Sequence, residues 1–271
     1  MNSIFHINRM DMKRLYIVVI VVSFFFSCGS KDKTSLMNRE DKQAKQMMQG
    51  LWTDENGAAA LLIKGDSIFY PDSASMPAKF WIYNDSLYLE GAEINTYKII
   101  KQADSFFKFI NENGEEVNLL KSDNKFLTSA FDYHVYAMNT FQRQETDTLV
   151  RLEVGFVDCH ISVSTTSDRI IKSSFSELGI GVDNTYLDNV AAVNVSMGGK
   201  NIYSHQFRKQ EFESLIGKDF LKKSILRRFE FTHADKNALS FDAIIGIPDA
   251  STNYVIEVKL TPDGNITKRM R

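Results

Sequence analysis

Between residues 60 and 125, short apolar runs alternate with polar, turn-like clusters at a regular interval. Asp66, Asp85, Asp104 and Asp123 lie 19 residues apart, each among Ser, Asn, Gly or Gln residues. Asp, Ser and Asn favour turns because their side chains hydrogen-bond to the nearby backbone. The intervening runs, such as residues 80–83, are rich in the aromatic and β-branched residues that are typical of strands. Each repeat therefore predicts two short strands, and four repeats predict an eight-stranded antiparallel meander.

The residues Gly50-Leu51-Trp52 precede the first strand of this predicted meander. They resemble the G-x-W motif that opens lipocalin-like barrels, in which the tryptophan closes the base of the barrel. The resemblance implies a small lipocalin-like β-meander domain over residues 47–140. The predicted strands are short, and a short eight-stranded barrel can be filled by its own side chains. We therefore expect a plugged barrel rather than a ligand cup.

Residues 139–148 are almost entirely polar and separate the meander from a second pattern. Beyond them, residues 190–197 and 201–207 are strand-like runs on either side of Gly198-Gly199, where positive φ angles suit a hairpin turn. Residues 241–247 and 254–260 alternate apolar and polar positions, as strands do. Residues 150–271 therefore predict an α+β module with antiparallel strands, and the whole chain predicts a mainly β fold.

One or two short helices complete the second module. Residues 211–216 predict a helix that is closed by Gly217. Asp219 is placed to cap a second helix with four apolar residues on one face: Leu221, Ile225, Leu226 and Phe229. Taken over its whole length, and without a diagnostic motif, the sequence of this half resembles an uncharacterised domain of Bacteroidetes lipoproteins. That resemblance implies a domain of unknown function and no known activity.

A short apolar run near the amino terminus predicts a targeting segment. Lys13 and Arg14 precede the apolar residues 15–26, and Ser27-Cys28 follow them. This layout resembles a bacterial lipoprotein signal peptide, in which the cysteine is lipidated and becomes the first residue of the mature chain. The run is too short for a transmembrane helix, which needs about 20 apolar residues. We expect a signal peptide at 1–27, with Met12 as its start, and a lipidated polar tether at 28–46.

The lipoprotein resemblance implies an outer-membrane protein that is held by lipid on Cys28. Residues 28–33 resemble the charged signal that sends Bacteroidetes lipoproteins to the cell surface, so the protein either faces the periplasm or is displayed on the surface. Removal of residues 1–27 leaves a net charge of about −4, since three basic residues and one acidic residue are lost. Such a charge offers no broad basic surface for nucleic acid.

Candidate chemistry beyond the lipidation site is sparse. Asp158-Cys159-His160 places a thiol beside an imidazole, but strand neighbours point to opposite faces, so we expect Cys159 in the core and His160 on the polar face. The histidines lack metal-ligand spacing, and no motif indicates a metal or a cofactor. Residues 182–189 lack the glycine and glutamate of a calcium loop and predict a solvated loop. The basic residues at the carboxyl end predict a frayed tail: Lys268, Arg269 and Arg271.

The function that these patterns favour is binding rather than catalysis. No local motif combines a nucleophile, a base and a stabilising group, so we expect no catalytic residues and a lipid-anchored envelope protein that binds or scaffolds a partner. The candidate partners are the membrane, through Cys28, and a glycan or an envelope protein. An envelope hydrolase or inhibitor, with a site assembled only in the folded chain, is the alternative. Four aromatic residues of the meander would stack on sugar rings if exposed, or else form core: Trp81, Tyr83, Tyr88 and Tyr97.

Overall fold

The first half of the protein is a closed antiparallel barrel. A computed structural model describes residues 39–132, 137–139 and 143–271. Each of the first eight strands pairs with its sequence neighbour, and the last pairs with the first. The predicted eight-stranded meander barrel is thereby confirmed. Its strands are β1 Gly50–Thr53, β2 Ala59–Lys64, β3 Ser67–Phe69, β4 Ala78–Tyr83, β5 Ser86–Glu90, β6 Ile94–Ala103, β7 Phe106–Ile110 and β8 Glu116–Ser122.

The turns of the barrel lie where the Asp-Ser repeat predicts them. Asp66, Asp85 and Asp104 each separate two neighbouring strands. Asn84 and Asp85 have positive φ angles of 46° and 50°, and successive positive φ angles are what a two-residue hairpin turn requires. Large side chains fill the interior of the barrel, as expected for strands of this length. Its fully buried aromatic residues include Trp52, Phe80, Tyr97, Phe107 and Phe109.

A short helix, α1 Lys42–Met47, packs against the barrel beside Trp52. The Asp41 side chain caps it by accepting a hydrogen bond from the Ala44 amide at 2.9 Å. The Trp52 indole donates to the Met48 carbonyl at 2.7 Å, which satisfies a polar group that would otherwise be buried unpaired. The end of the predicted tether is therefore part of the folded domain. The predicted signal peptide, Cys28 and the tether up to residue 38 lie outside the described residues.

Two four-stranded antiparallel sheets make up the second half. Their strands are β9 Gln144–Leu152, β10 Gly155–Phe175, β11 Gly181–Met197, β12 Lys200–Phe207, β13 Ile225–Ala234, β14 Leu239–Gly246, β15 Asn253–Leu260 and β16 Ile266–Met270. The orders within the sheets are β12-β11-β10-β9 and β13-β14-β15-β16. The 3-10 helix Lys125–Phe131 follows the barrel strand β8, while the 3-10 helix Lys209–Phe212 and two short α-helices, α2 Glu213–Ile216 and α3 Lys218–Lys223, lie between β12 and β13. Among the residues described, no helix is long and apolar enough to cross a membrane.

The two sheets pack against each other through their apolar faces. Alternating residues of β10 and β11 meet those of β14 and β15 in one continuous core. Phe207 of β12 stacks on Phe229 of β13 with ring centroids 4.7 Å apart. Cys159 lies in this core, and burial raises the pKa of its thiol to about 12. The core position predicted for Cys159 is confirmed, and such a thiol is unreactive at neutral pH.

Three sequence-based expectations for the second half are wrong. Ile225, Leu226 and Phe229 belong to β13 and not to a helix, because β14 pairs with this segment in register. Residues 182–189 are part of β11 rather than a solvated loop, since their polar groups find partners inside the fold. The basic carboxyl end is strand β16 and is paired with acidic residues, as in the Arg271–Asp242 ion pair at 3.1 Å.

The polar segment at 139–148 is only partly a connection. Strand β9 begins at Gln144 and pairs with β10 from Gly155 to Val163. Its inward-facing positions carry Thr146, Thr148 and Val150, which suit a strand at the edge of a sheet. The sheet therefore includes residues that the polar composition of this segment assigned to a linker.

The long β10–β11 hairpin connects the two halves of the molecule. Ile180 and Val182, at its tip, are buried in the same core as the barrel side chains. The Gly181 amide donates to the Tyr97 hydroxyl at 2.7 Å, and the Tyr70 hydroxyl donates to the Gly181 carbonyl at 3.2 Å. Burial raises the pKa of both tyrosine hydroxyls. The hairpin tip thus closes one mouth of the barrel.

Candidate functional site

A cleft of about 460 Å³ opens where the hairpin tip meets the barrel. One wall comes from the barrel, through residues 58–60 and 70–72, and the other comes from the hairpin, through residues 174–178. Ligand sites are usually concave regions of this size that combine apolar surface with a few oriented polar groups. The cleft meets that description, because alanine, proline and aromatic side chains lie beside serine hydroxyls and carboxylates.

Two aspartates are held in place on the barrel wall of the cleft. Asp54 Oδ1 accepts hydrogen bonds from the amides of Asn56 at 2.9 Å and Ala58 at 2.8 Å. Asp72 Oδ1 accepts from the amides of Ala74 at 2.9 Å and Ser75 at 2.6 Å. These are the Asx-turn contacts that fix an aspartate in a loop. Each carboxylate thereby uses one oxygen for the fold and keeps its second oxygen for another donor.

The hairpin wall presents an aromatic ring. Phe175 is the last residue of β10, and 57% of its surface is exposed. The turn beyond it is rigid, because the Ser176 amide donates to the Ile180 carbonyl at 2.8 Å and Gly179 has a φ of 66°. A β-carbon on Gly179 would lie 2.6 Å from Asn111 Nδ2, so only glycine fits at this point. The backbone of this turn therefore places Phe175 at the rim of the cleft.

The cleft has an acidic character. Its lining includes Asp54, Asp72 and Glu177, and among the described residues that line it there is no Lys, Arg or His. Carboxylates whose negative charge is not neutralised by nearby Lys, Arg or His side chains repel phosphates and other anions. They accept hydrogen bonds from hydroxyl or ammonium groups. The site therefore suits a neutral hydroxyl-rich or a cationic ligand.

A comparison with protein families finds a match, which lies in the second half of the chain. Residues 123–268 match the domain of unknown function DUF4738. The chain belongs to the DUF4738 family. The match begins directly after β8 and ends within β16, so it covers nearly all of both four-stranded sheets and excludes the barrel. A comparison with curated proteins finds no match. The cleft is accordingly shared between the hairpin of the DUF4738 domain and the barrel that precedes it.

The four aromatic residues that the sequence singled out do not line this cleft. Trp81 and Tyr88 stack as a cross-strand pair with ring centroids 5.3 Å apart. Tyr97 lies in the barrel core, and Tyr83 accepts a hydrogen bond from Arg39 at 3.4 Å. Trp81 and Tyr97 are each only 1% exposed, so neither ring presents a free face. Tyr83 and Tyr88 are half-buried.

The outer face of the first DUF4738 sheet carries a histidine–aspartate pair. His160 Nδ1 lies 2.7 Å from Asp147 Oδ1, on the polar face that the sequence predicted for His160. Asn194 occupies the next position across the sheet, and Ser204 donates to it at 2.6 Å. Ser204 is thus separated from His160 by a whole strand. This arrangement lacks the direct contact between nucleophile and base that acyl transfer requires.

A second histidine lies at the other edge of the same sheet. His205 Nε2 is 3.1 Å from Glu211 Oε1, and Lys268 Nζ is 2.9 Å from Glu211 Oε2. Burial opposes ionisation of Glu211, but hydrogen bonds from Lys268 and His205 outweigh it and keep the pKa below its usual value. Glu211 is therefore an ion-pair partner and not a proton donor at neutral pH. In the described part of the chain, no group of three or more His, Cys, Asp and Glu side chains is arranged to hold a metal.

The residues of the cleft gave little signal in the sequence. Asp54 and Asp72 occur in ordinary turn sequences, and Phe175 ends a run that alternates in the manner of any strand. An exposed aromatic residue at a strand end, followed by Ser-Glu-Leu-Gly, is the one local feature that could have drawn attention. The sequence does not show that these three segments meet.

Proposed function

We propose that this protein is a lipid-anchored envelope protein that binds a neutral, hydroxyl-rich ligand, such as a glycan chain, in the cleft between the barrel and the hairpin tip. The observation that supports this most is the pairing of the exposed Phe175 ring with two oriented carboxylates, Asp54 and Asp72. An aromatic face packs against the apolar face of a sugar ring, and carboxylate oxygens accept bonds from its hydroxyls. The lining offers hydrogen-bond acceptors and an aromatic ring for a bound ligand, and the role that we propose is binding rather than catalysis.

Replacement of Phe175 by alanine is expected to weaken glycan binding about tenfold, because the stacking surface at the rim is lost. The measurement is a screen of the purified protein against an array of bacterial and host glycans, followed by titration calorimetry with the strongest hit. Asp54→Asn and Asp72→Asn should weaken binding of the same glycan, since an amide oxygen is a weaker acceptor than a carboxylate.

Phe156→Ala is the matched control for this experiment. Phe156 lies on the same strand, is exposed to a similar extent at 59%, and does not line the cleft. Its replacement should leave glycan affinity unchanged. Equal losses in the Phe156 and Phe175 variants, or no glycan bound by the native protein, would contradict the proposed site.

Membrane attachment through Cys28 is the second part of the proposal. It is supported by the basic residues Lys13 and Arg14, the apolar residues 15–26 and the cysteine that follows. We expect Cys28→Ala to move the protein out of the membrane fraction, and an inhibitor of lipoprotein signal peptidase to leave a longer, uncleaved precursor in that fraction. One acyl chain binds a bilayer only marginally, whereas two or more hold it stably. Cell fractionation with immunoblotting measures this, and unchanged fractionation of Cys28→Ala would show that the anchor is wrongly assigned.

The envelope hydrolase is the second candidate, and the His160–Asp147 pair is the observation that favours it. An exposed imidazole that is held by a carboxylate can act as a general base towards a bound water. His160→Ala should abolish turnover in a panel of ester, amide and glycoside substrates if that function is correct. It should leave glycan binding in the cleft intact if the binding function is correct.

A further inference from the structure

A lysine and an aspartate are buried together where β11 of the DUF4738 domain passes the 3-10 helix Lys209–Phe212. Lys209 Nζ lies 3.3 Å from Asp188 Oδ2, and the side chains of both residues are 3% exposed. Removal of two charges from water is so unfavourable that their mutual attraction often fails to compensate for it. A charged pair at this depth therefore requires a further explanation, and the geometry around it supplies one.

The surroundings of Asp188 resemble a site built for a carbonyl oxygen. Asp188 Oδ1 accepts hydrogen bonds from the Asn189 amide at 2.8 Å and the Leu226 amide at 2.9 Å. Two backbone donors on one oxygen form the arrangement that stabilises the oxyanion of a tetrahedral intermediate. The other oxygen, Oδ2, faces the lysine. The neighbouring Asn189 side chain is occupied elsewhere, because its amide nitrogen donates to the Leu226 carbonyl at 2.7 Å. Asp188 is therefore the carboxyl group that faces Lys209.

We propose that Lys209 and Asp188 join in an intramolecular isopeptide bond that cross-links β11 to the segment preceding α2. A proton first passes from the Lys209 ammonium to Asp188 Oδ2, which yields a neutral amine and a carboxylic acid. The Nζ lone pair then attacks Cγ, and the Nζ–Cγ bond forms. Nζ gives up a second proton to the departing hydroxyl, the Cγ–Oδ2 bond breaks, and one water molecule leaves. The pair itself supplies every atom of this step.

Four physical effects favour this condensation in the buried site. Burial lowers the pKa of Lys209, which increases the fraction of neutral, nucleophilic amine. The fold also holds Nζ 3.3 Å from Oδ2, the oxygen that departs, so the two groups are already side by side and no translational entropy is lost during the step. The site excludes bulk water, which would otherwise favour hydrolysis of the amide. Condensation also replaces a buried ion pair by a neutral amide, which removes the desolvation penalty of two charges.

The product amide would be fully hydrogen-bonded in the existing site. Its oxygen would keep the amides of Asn189 and Leu226 as donors. Its single N–H would keep the Ser224 carbonyl, to which Lys209 Nζ already donates, as acceptor. Ser224 is itself fully buried. The amide would therefore need no new hydrogen-bond partner, and it would meet the requirement that buried polar groups are hydrogen-bonded.

Peptide mapping of the full-length protein, extracted in detergent, denatured and digested with trypsin, tests this proposal independently of the proposed function. We expect peptide 173–200 to be covalently joined to peptide 209–218, with a mass lower by one water than their sum and no cleavage after Lys209. Fragmentation places the link at Asp188 and Lys209. Separate, unmodified peptides at full yield, or loss of water from Asp188 without a link, would overturn the proposal.

Three comparisons strengthen the test. The exposed pair of Lys222 and Asp219 lies at a similar distance, 3.1 Å, and should stay unlinked because water reaches it. Lys209→Arg should abolish the linked peptide, since a guanidinium is not a nucleophile at neutral pH. Asp188→Asn should still yield a linked peptide of the same mass, because ammonia leaves in place of water. If either variant fails to fold, the native protein alone decides the outcome.

Discussion

Replacement of Ile180 by alanine is expected to lower the free energy of unfolding by about 2–5 kcal/mol, the usual range for a buried isoleucine truncated to alanine. Ile180 is 1% exposed and packs among the barrel side chains, although it belongs to the hairpin of the second half. Its loss leaves a cavity at the mouth that the hairpin closes. Urea unfolding followed by tryptophan fluorescence measures the effect, because both tryptophans of the chain, Trp52 and Trp81, lie in the barrel.

Ile171→Ala is the control for that experiment. Ile171 lies on the same hairpin but is 49% exposed, so its truncation should change stability by no more than about 0.5 kcal/mol. Hydrogen exchange gives a second readout. The amides of Met76 and Glu112 donate to carbonyls of Asp183 and Gly179 across the junction, and they should exchange faster in the Ile180 variant. Equal stability of the two variants would mean that the hairpin does not hold the barrel.

Replacement of Trp52 by alanine is expected to lower the free energy of unfolding by about 3–5 kcal/mol. Trp52 is fully buried in the barrel, its ring lies edge-on to Phe107 with centroids 6.2 Å apart, and Lys121 Nζ lies 5.3 Å from the ring centroid. The variant also leaves the Met48 carbonyl without the indole donor. Far-ultraviolet circular dichroism during urea unfolding is the measurement, since the substitution removes one of the fluorescent reporters.

Phe126→Ala is the control variant for this experiment, since it removes an aromatic residue without removing a packed side chain. Phe126 lies just beyond β8 and is 90% exposed, so its removal should change stability by less than about 0.5 kcal/mol. The stability of Trp52→Phe should lie between those of Trp52→Ala and Phe126→Ala, because an aromatic ring remains buried while the hydrogen bond to Met48 is lost. A Trp52→Ala protein with native stability would show that the G-x-W tryptophan does not support the barrel.

The barrel could be predicted because its contacts are local. Each strand pairs with its neighbour in sequence, and the turn residues that reverse the chain are recognisable from their chemistry, as at Asn84-Asp85. The β11–β12 hairpin could be predicted for the same reason, since Gly198 and Gly199 both have the positive φ angles of a tight turn. Antiparallel hairpins of this kind depend on turn geometry and alternation, both of which are visible in the sequence.

The errors arose where polar residues are satisfied by distant partners. Residues 182–189 have the composition of a loop, yet Asp188 and Asn189 are only 2% exposed. Asp188 is paired with Lys209 and accepts a hydrogen bond from the Leu226 amide, and the Asn189 side chain donates to the Leu226 carbonyl. Polarity in a sequence does not distinguish a solvated group from a buried one that has its hydrogen bonds. The residues at 225–229 fit both a helical face and a strand, and pairing with β14 decided between them.

The amino-acid sequence by itself determined the mainly β architecture, the eight-stranded meander, the turns and the core position of Cys159, because periodicity and turn chemistry act over a few residues. Only the tertiary structure decided that the β10–β11 hairpin closes the barrel and that Asp54, Asp72 and Phe175 border one cleft. It also brought Lys209 against Asp188. These pairings join segments separated by tens of residues, and packing of the whole chain selects them rather than any local preference.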